Sequence, residues 1–325
     1  MKKICRTLSI LLIGVATASA NTYYISPLGD DVNNGTTTGT AWKSPNKVTQ
    51  YAWEIGFLAG DILLFEGNNT FTGGLYFQKD KPSIGRNSGS SSNLISLGSY
   101  GGGIATLFSG TVSGFYAYNL AGFSIDGLNF IGSGPGVNSN SGIIFYADIS
   151  QTLSTIVVRN VEVSGYKHGF NIGEYCPSLP YLGYTNISIL GSQFHHNLST
   201  GIFSYGKAKN SHSNFYISLT SAYSNYGDPA VVANSGSGIV ISAFDGALIE
   251  YCTAYDNGKD NQAVTGGPVG MWAYEAKNVT FQHCESYQNK SKGFDGGGFD
   301  LDGGTENCII QYCYCLLYTS PSPRD

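Results

Sequence analysis

The chain repeats itself, and that repeat limits what it can fold into more than any other feature. Six glycines each open a short stretch of alternating polarity: "GIIFY" at 142, "GFNIG" at 169, "GIFSY" at 201, "GIVIS" at 238, "GMWAY" at 270 and "GFDLD" at 298, at intervals of 27, 32, 37, 32 and 28 residues. A second line of matches runs beside the first. Aligning "LIEYCTAYDNG" (248–258) with "TFQHCESYQNK" (280–290) superimposes Cys252 on Cys284, Tyr255 on Tyr287 and Asn257 on Asn289, and Cys313 follows in the same slot 29 residues later. Asn197 and Asn225 take the asparagine slot in earlier units. "FSIDGLNF", "IVVRNVEV" and "NISILGSQF" alternate with the period of two that marks strands. Units of roughly 30 residues with about three short strands each cannot close a core alone, but stacked they form a solenoid whose strands pair in parallel from coil to coil. The cysteines then read as buried, stacked thiols, since they sit at repeat spacing and not at the C-x-x-C spacing of metal ligands. The asparagines read as a ladder whose side-chain amides satisfy turn backbone.

The first twenty residues stand outside this pattern. Lys2, Lys3 and Arg6 precede an apolar run from Leu8 to Val15, and Ala18-Ser19-Ala20 offers the small residues of a cleavage site, so residues 1–20 read as a signal peptide and the mature chain as exported. No later run is apolar enough for a membrane span. Charged residues make up only 12% of the chain, whereas it holds 44 glycines and 23 tyrosines. A net charge of −5 gives no reason to expect nucleic acid. Few charges and many tyrosines suit neutral or hydroxyl-rich ligands.

The repeat, together with "YYISPLGDDVNNGTTTGTAWKSPNKV" and "GDILLFEGNNTF" near the start, resembles the right-handed parallel β-helix superfamily of pectate-lyase-like secreted bacterial proteins. The resemblance covers residues 22 to 314 and implies one domain, 21–314, whose first part (about 21–65) plugs one end of the solenoid. Residues 45 to 57 suit an amphipathic cap helix, with Val48, Tyr51, Ala52 and Ile55 on one stripe. Residues 315–325, "CLLYTSPSPRD" from Cys315, lack the coil pattern and resemble a translated sequencing-adaptor tail. The expectation is that the native protein continues differently beyond 314.

The glycine-led strands also predict a site. With the first and third residues after each glycine facing inward, the inward set is almost wholly apolar, and the outward column carries Tyr146, Asn171, Phe203, Tyr205, Trp272, Tyr274, Asp300 and Asp302. Aromatics lined up in this way suit the faces of sugar rings, or else stabilise the sheet as cross-strand pairs. Asp300 and Asp302, at i and i+2, suit a general acid–base pair. With Asp295 and Glu275 they could instead hold Ca²⁺, and as a polar turn whose aspartates cap backbone amides they have neither role. The resemblance implies a lyase whose calcium binds an acidic sugar and whose base is a Lys or Arg, for which Lys292 is the nearest candidate. The expected protein is therefore a secreted, monomeric polysaccharide-active enzyme, lyase or glycoside hydrolase. The alternative is a non-catalytic glycan-binding or adhesion solenoid. His168, beside Lys167, also stands where it could face the same groove, whereas His195 and His196 read as a solvated turn.

Overall fold

A computed structural model describes residues 19–79, 86–293 and 296–316. Most of the proposed signal peptide (residues 1–18), Asp295 and most of the 315–325 tail lie outside the described residues. The fold is a parallel β-helix of three sheets, with ten, eight and nine strands. One coil shows the plan. Phe123–Asp126 joins the ten-stranded sheet, Leu128–Gly132 the nine-stranded sheet and Ser141–Ala147 the eight-stranded sheet. The chain then returns with Leu153–Arg159 in parallel register on the first strand, placing Ile156 on Phe123 and Val158 on Ile125.

Alternation decides which side chains fill the interior. Ile143, Phe145, Phe170, Ile172, Ile202, Ile239 and Met271 are fully buried, as the period of two requires. Phe77, Phe115, Phe145 and Phe170 stack from coil to coil at ring distances of 5.4, 5.4 and 6.2 Å. Phe299 and Leu301, expected in the core, are half-buried and pack against it.

The recurring glycine has a steric cause. A Cβ on Gly238 would stand 2.4 Å from the carbonyl oxygen of Gly270, and one on Gly201 2.8 Å from that of Gly238. The same Cβ positions point at the core, 2.9 Å from Ala254 and Ala222 respectively. Only glycine lets successive coils approach this closely. Two more strands start in the same way, after Gly74 and Gly114, at Leu75–Gln78 and Phe115–Tyr118.

The asparagine ladder is present. Asn197, Asn225 and Asn257 each donate from Nδ2 to the Oδ1 of the next asparagine at 3.0, 2.9 and 2.8 Å, ending on Asn289. Each Oδ1 from Asn225 to Asn289 also accepts the backbone N–H of the preceding asparagine. Cys252 and Cys284 are buried free thiols that donate to backbone carbonyls, and Cys313 is a half-buried one.

The helix Pro45–Glu54 starts at Ser44, whose hydroxyl accepts the N–H of Lys47. Val48 and Ala52 are buried and Tyr51 packs on the core, but Ile55 lies past the helix end and is about half exposed. The helix rests against the strand Leu75–Gln78. The last described strand, Tyr314–Leu316, pairs with Glu285–Tyr287, two residues beyond the 314 boundary read from the sequence.

Candidate functional site

The eight-stranded sheet presents its outward residues in register. Tyr76, Tyr116, Ile144, Asn171, Phe203, Val240, Trp272 and Asp300 form one row across the coils. Gln78, Tyr118, Tyr146, Gly173 and Tyr205 form a second. The sequence reading began this column at Ile144. Tyr76 lies beyond the 40-residue interval from Gly74 to Gly114, outside the rhythm of the other glycines, whereas Gly114 precedes Gly142 by 28 residues, so "GFYAY" carries the same signal for Tyr116.

Three hollows open end to end over this face. The first, about 400 Å³, lies among Trp53, Tyr76 and Tyr116, with Asn46 and Thr49 of the helix on its side. The second, about 490 Å³, shares Ser113, Tyr116 and Asn140 with the first and reaches His168, Asn171, Phe203 and Tyr205. The third, about 190 Å³, shares His168 and Phe203 with the second and ends at Trp272 and Tyr274. Together they form a groove along the solenoid axis. From Leu75–Gln78 to Met271–Tyr274 it crosses seven strands, roughly 29 Å at the usual strand spacing.

Aromatic rings line the groove. Trp53 meets Tyr76 edge-on at 5.4 Å, and Tyr76 meets Tyr116 at 4.8 Å. His168 stacks on Phe203 at 5.1 Å, Phe203 on Tyr205 at 5.7 Å, and Trp272 on Tyr274 at 5.0 Å. Trp272 is held by its indole N–H, which donates to Ser237 Oγ at 3.2 Å. Gly173 explains the pose of Tyr205, because a Cβ there would stand 2.2 Å from Tyr205 Cζ. The ring lies across the glycine, and burial pushes its phenol up to about 12.

The polar side of the groove comes from residues that alternation alone sends inward. Ser141, His168, Thr200 and Ser237 each precede one of the glycines and stand in one register row. They share the parity of Ile143, Phe170, Ile202 and Ile239, yet they line the groove. The glycine between has its Cβ direction toward the core, so the alternation restarts after it.

The structure thus brings five of the expected ligand-binding residues, Asn171, Phe203, Tyr205, Trp272 and Tyr274, into one groove. Tyr146 stands beside it, stacked on Tyr118 at 6.0 Å. Asp300 follows Trp272 in the register row, at the end of the groove. Asp302 lies past the strand end, where its carboxylate accepts the N–H of Gly303 at 2.6 Å. Lys292 is exposed and donates to Gln262 Oε1 at 2.6 Å. Glu275 turns to another corner of the coil, 4.0 Å from Lys209, which also pairs with Glu306 at 3.0 Å. Among the described residues no group of three or more His, Cys, Asp or Glu side chains stands together as a metal-ion site. His195, read as solvated, is buried, with Glu162 Oε1 3.0 Å from its Nε2 and Tyr223 stacked on its ring at 4.6 Å.

The fold is similar to that of a GH136 lacto-N-biosidase from Eubacterium ramulus. Its selenomethionine and native crystal structures align with TM-scores of 0.70 and 0.67, at 18% and 17% identity, over 90% of this chain and 56% of theirs. This chain therefore spans a little over half the length of those structures. Pectate lyase Pel9A aligns over 91% of this chain and 80% of its own, with a TM-score of 0.48 and 14% identity. No protein-family model and no curated protein matches the chain. No helix among the described residues is long and apolar enough to cross a membrane.

Proposed function

We propose that the protein is an exported glycan-active enzyme, a glycoside hydrolase or polysaccharide lyase, that holds an extended saccharide chain along the groove of its eight-stranded sheet. The observation that carries this reading is the groove itself. It is continuous over several coils, open to solvent, and lined mainly by aromatic rings and uncharged hydrogen-bonding groups, with Lys167 the one charged side chain among its described lining residues, which suits the C–H faces and hydroxyls of a sugar chain. The likeness in shape to a lacto-N-biosidase gives the carbohydrate reading further support. Asp300 and Asp302 at the groove's end are the proposed acid–base residues.

A second reading has its own observation. No Asp or Glu is among the described residues lining the three hollows, so the groove could bind a glycan without cleaving it. The deciding experiment offers the protein a panel of neutral and acidic polysaccharides and follows reducing ends and unsaturated products. The enzyme reading expects cleavage that falls about 10²–10⁴-fold in an Asp300→Asn/Asp302→Asn double variant. Binding without cleavage of any member would leave the binding-module reading. Unchanged turnover in the variant would remove both aspartates from catalysis. A chelator arm tests the calcium proposal, which expects loss of activity and its recovery on adding Ca²⁺.

A further inference from the structure

At the middle of the groove, where the second and third hollows meet, two buried polar atoms have no hydrogen-bond partner: His168 Nδ1 and Asn171 Oδ1. Both residues line the second hollow, and Asn171 is only 7% exposed. The amide's other end is fixed, since Nδ2 donates to Ser141 Oγ at 3.2 Å. Buried polar groups are almost always paired, because an unpaired one costs roughly 1–3 kcal/mol. Two orphans on residues that line the same open groove therefore point to a ligand that pairs them. The third orphan among the described residues, the Tyr184 hydroxyl, lines none of these hollows.

The chemistry of the orphans selects the ligand. Asn171 Oδ1 accepts only, so the ligand group facing it must donate. A carboxylate would set acceptor against acceptor. His168 is neutral, because burial and the nearby Lys167 push its imidazole down to about 3. A neutral imidazole nitrogen either gives or takes one hydrogen bond, and a hydroxyl meets either case. The flat His168–Phe203 stack and the Tyr205 ring beside it supply apolar faces next to these polar atoms.

We propose that His168, Asn171 and Ser141 form a subsite for the hydroxyls of an uncharged sugar unit whose ring lies on Phe203 and Tyr205. This deepens the proposed function and rests on it: the groove is taken to hold a glycan, and the subsite says that the unit at its centre is neutral. Lys167 lines the same hollow and is exposed, where a charged sugar would be attracted, and the test is built to separate the two.

The experiment measures calorimetric affinities of the full chain for neutral oligosaccharides (gluco-, galacto-, manno- and xylo-series) and for oligogalacturonate and oligoalginate of equal length. A neutral series binds, and Asn171→Leu and His168→Phe each weaken it about tenfold, one lost hydrogen bond apiece. Imidazole ¹⁵N shifts of His168 in the unmutated protein move on adding the bound oligosaccharide, a readout that needs no variant to fold. Neutral binding that survives both variants, with an unmoved His168 signal, overturns the subsite while the glycan reading stands. Binding confined to the acidic series and lost with Lys167→Gln also overturns it. Binding of neither class overturns the glycan reading itself and the subsite with it.

Discussion

Gly173 and Tyr205 show how one residue's smallness sets another's pose. A Cβ at position 173 would meet the far end of the Tyr205 ring and no backbone, so the ring can swing aside at little cost. Gly173→Ala is expected to change unfolding free energy by less than about 1 kcal/mol, yet to weaken glycan binding several-fold by tilting the ring. Equal binding in calorimetry would show that the pose does not matter. Trp272→Ala removes both a ring face and its bond to Ser237, and about a tenfold rise in Kd is expected. His212 gives a pH prediction. Its Nδ1 accepts the N–H of Tyr184 at 2.9 Å and its Nε2 donates to the carbonyl of Tyr205 at 2.9 Å, so the neutral ring is fully paired. Burial pushes it down to about 4 from 6.5. Between those pH values the unfolded chain binds the extra proton. Stability from this group is therefore complete above about 6.5 and is lost as pH falls toward 4, by an amount on the order of 3 kcal/mol. Denaturant midpoints taken from pH 7 to pH 4 should fall, and fall less in His212→Gln.

At the scale of the element, each glycine-led strand depends on contacts with the coils on either side. Gly238→Ala would press a methyl against the Gly270 carbonyl and the Ala254 side chain, both fixed by the sheet. A loss of about 1–3 kcal/mol is expected from such overpacking, against the near-neutral Gly173→Ala. Asn257→Ala removes the acceptor of two bonds from Asn225 and the donor of one to Asn289 Oδ1. A similar loss of about 1–3 kcal/mol is expected, and Asn225→Ala/Asn257→Ala should cost less than the sum of its parts, because the two share one ladder. Additive midpoints in chemical denaturation would contradict the ladder's energetic unity.

For the whole molecule, stability in a solenoid is a sum of coil and interface contributions, so protection should follow local burial. The strand Thr200–Tyr205 is buried at four of its six positions, Ile202 and Ser204 among them, whereas Phe299–Leu301 is half-buried throughout. Amide hydrogens of Ile202 and Ser204 are therefore expected to exchange more slowly than those of Asp300 and Leu301, as read by hydrogen-exchange mass spectrometry. Uniform protection along the chain would mean that the solenoid opens only as one unit. The same linear build shapes the groove, since each coil adds one rung to it and substitutions in distant coils should alter separate parts of a bound chain.

The sequence by itself determined the coil. Residue alternation has a period of two, and a spacing near 30 residues has few solutions other than parallel stacking, so the inward residues from Ile143 to Met271, the asparagine ladder and the stacked thiols were all legible. The outward column was legible too, from Tyr146 to Trp272, because register carries it. The tertiary structure alone decided the depth of the site. Trp53 and Thr49 reach the groove from a helix that periodicity could describe only as a cap. Tyr76 sits behind an irregular interval of 40 residues, whereas Tyr116 follows a glycine in rhythm with Gly142. Ser141 faces the groove because a glycine with no Cβ restarts the alternation, a reversal invisible to a count of every second residue, and the same restart turns His168 to the groove as its place at a strand entry beside Lys167 suggested. Which outward atoms are left without partners, at His168 and Asn171, depends on distances between coils, and those exist only once the coils are stacked.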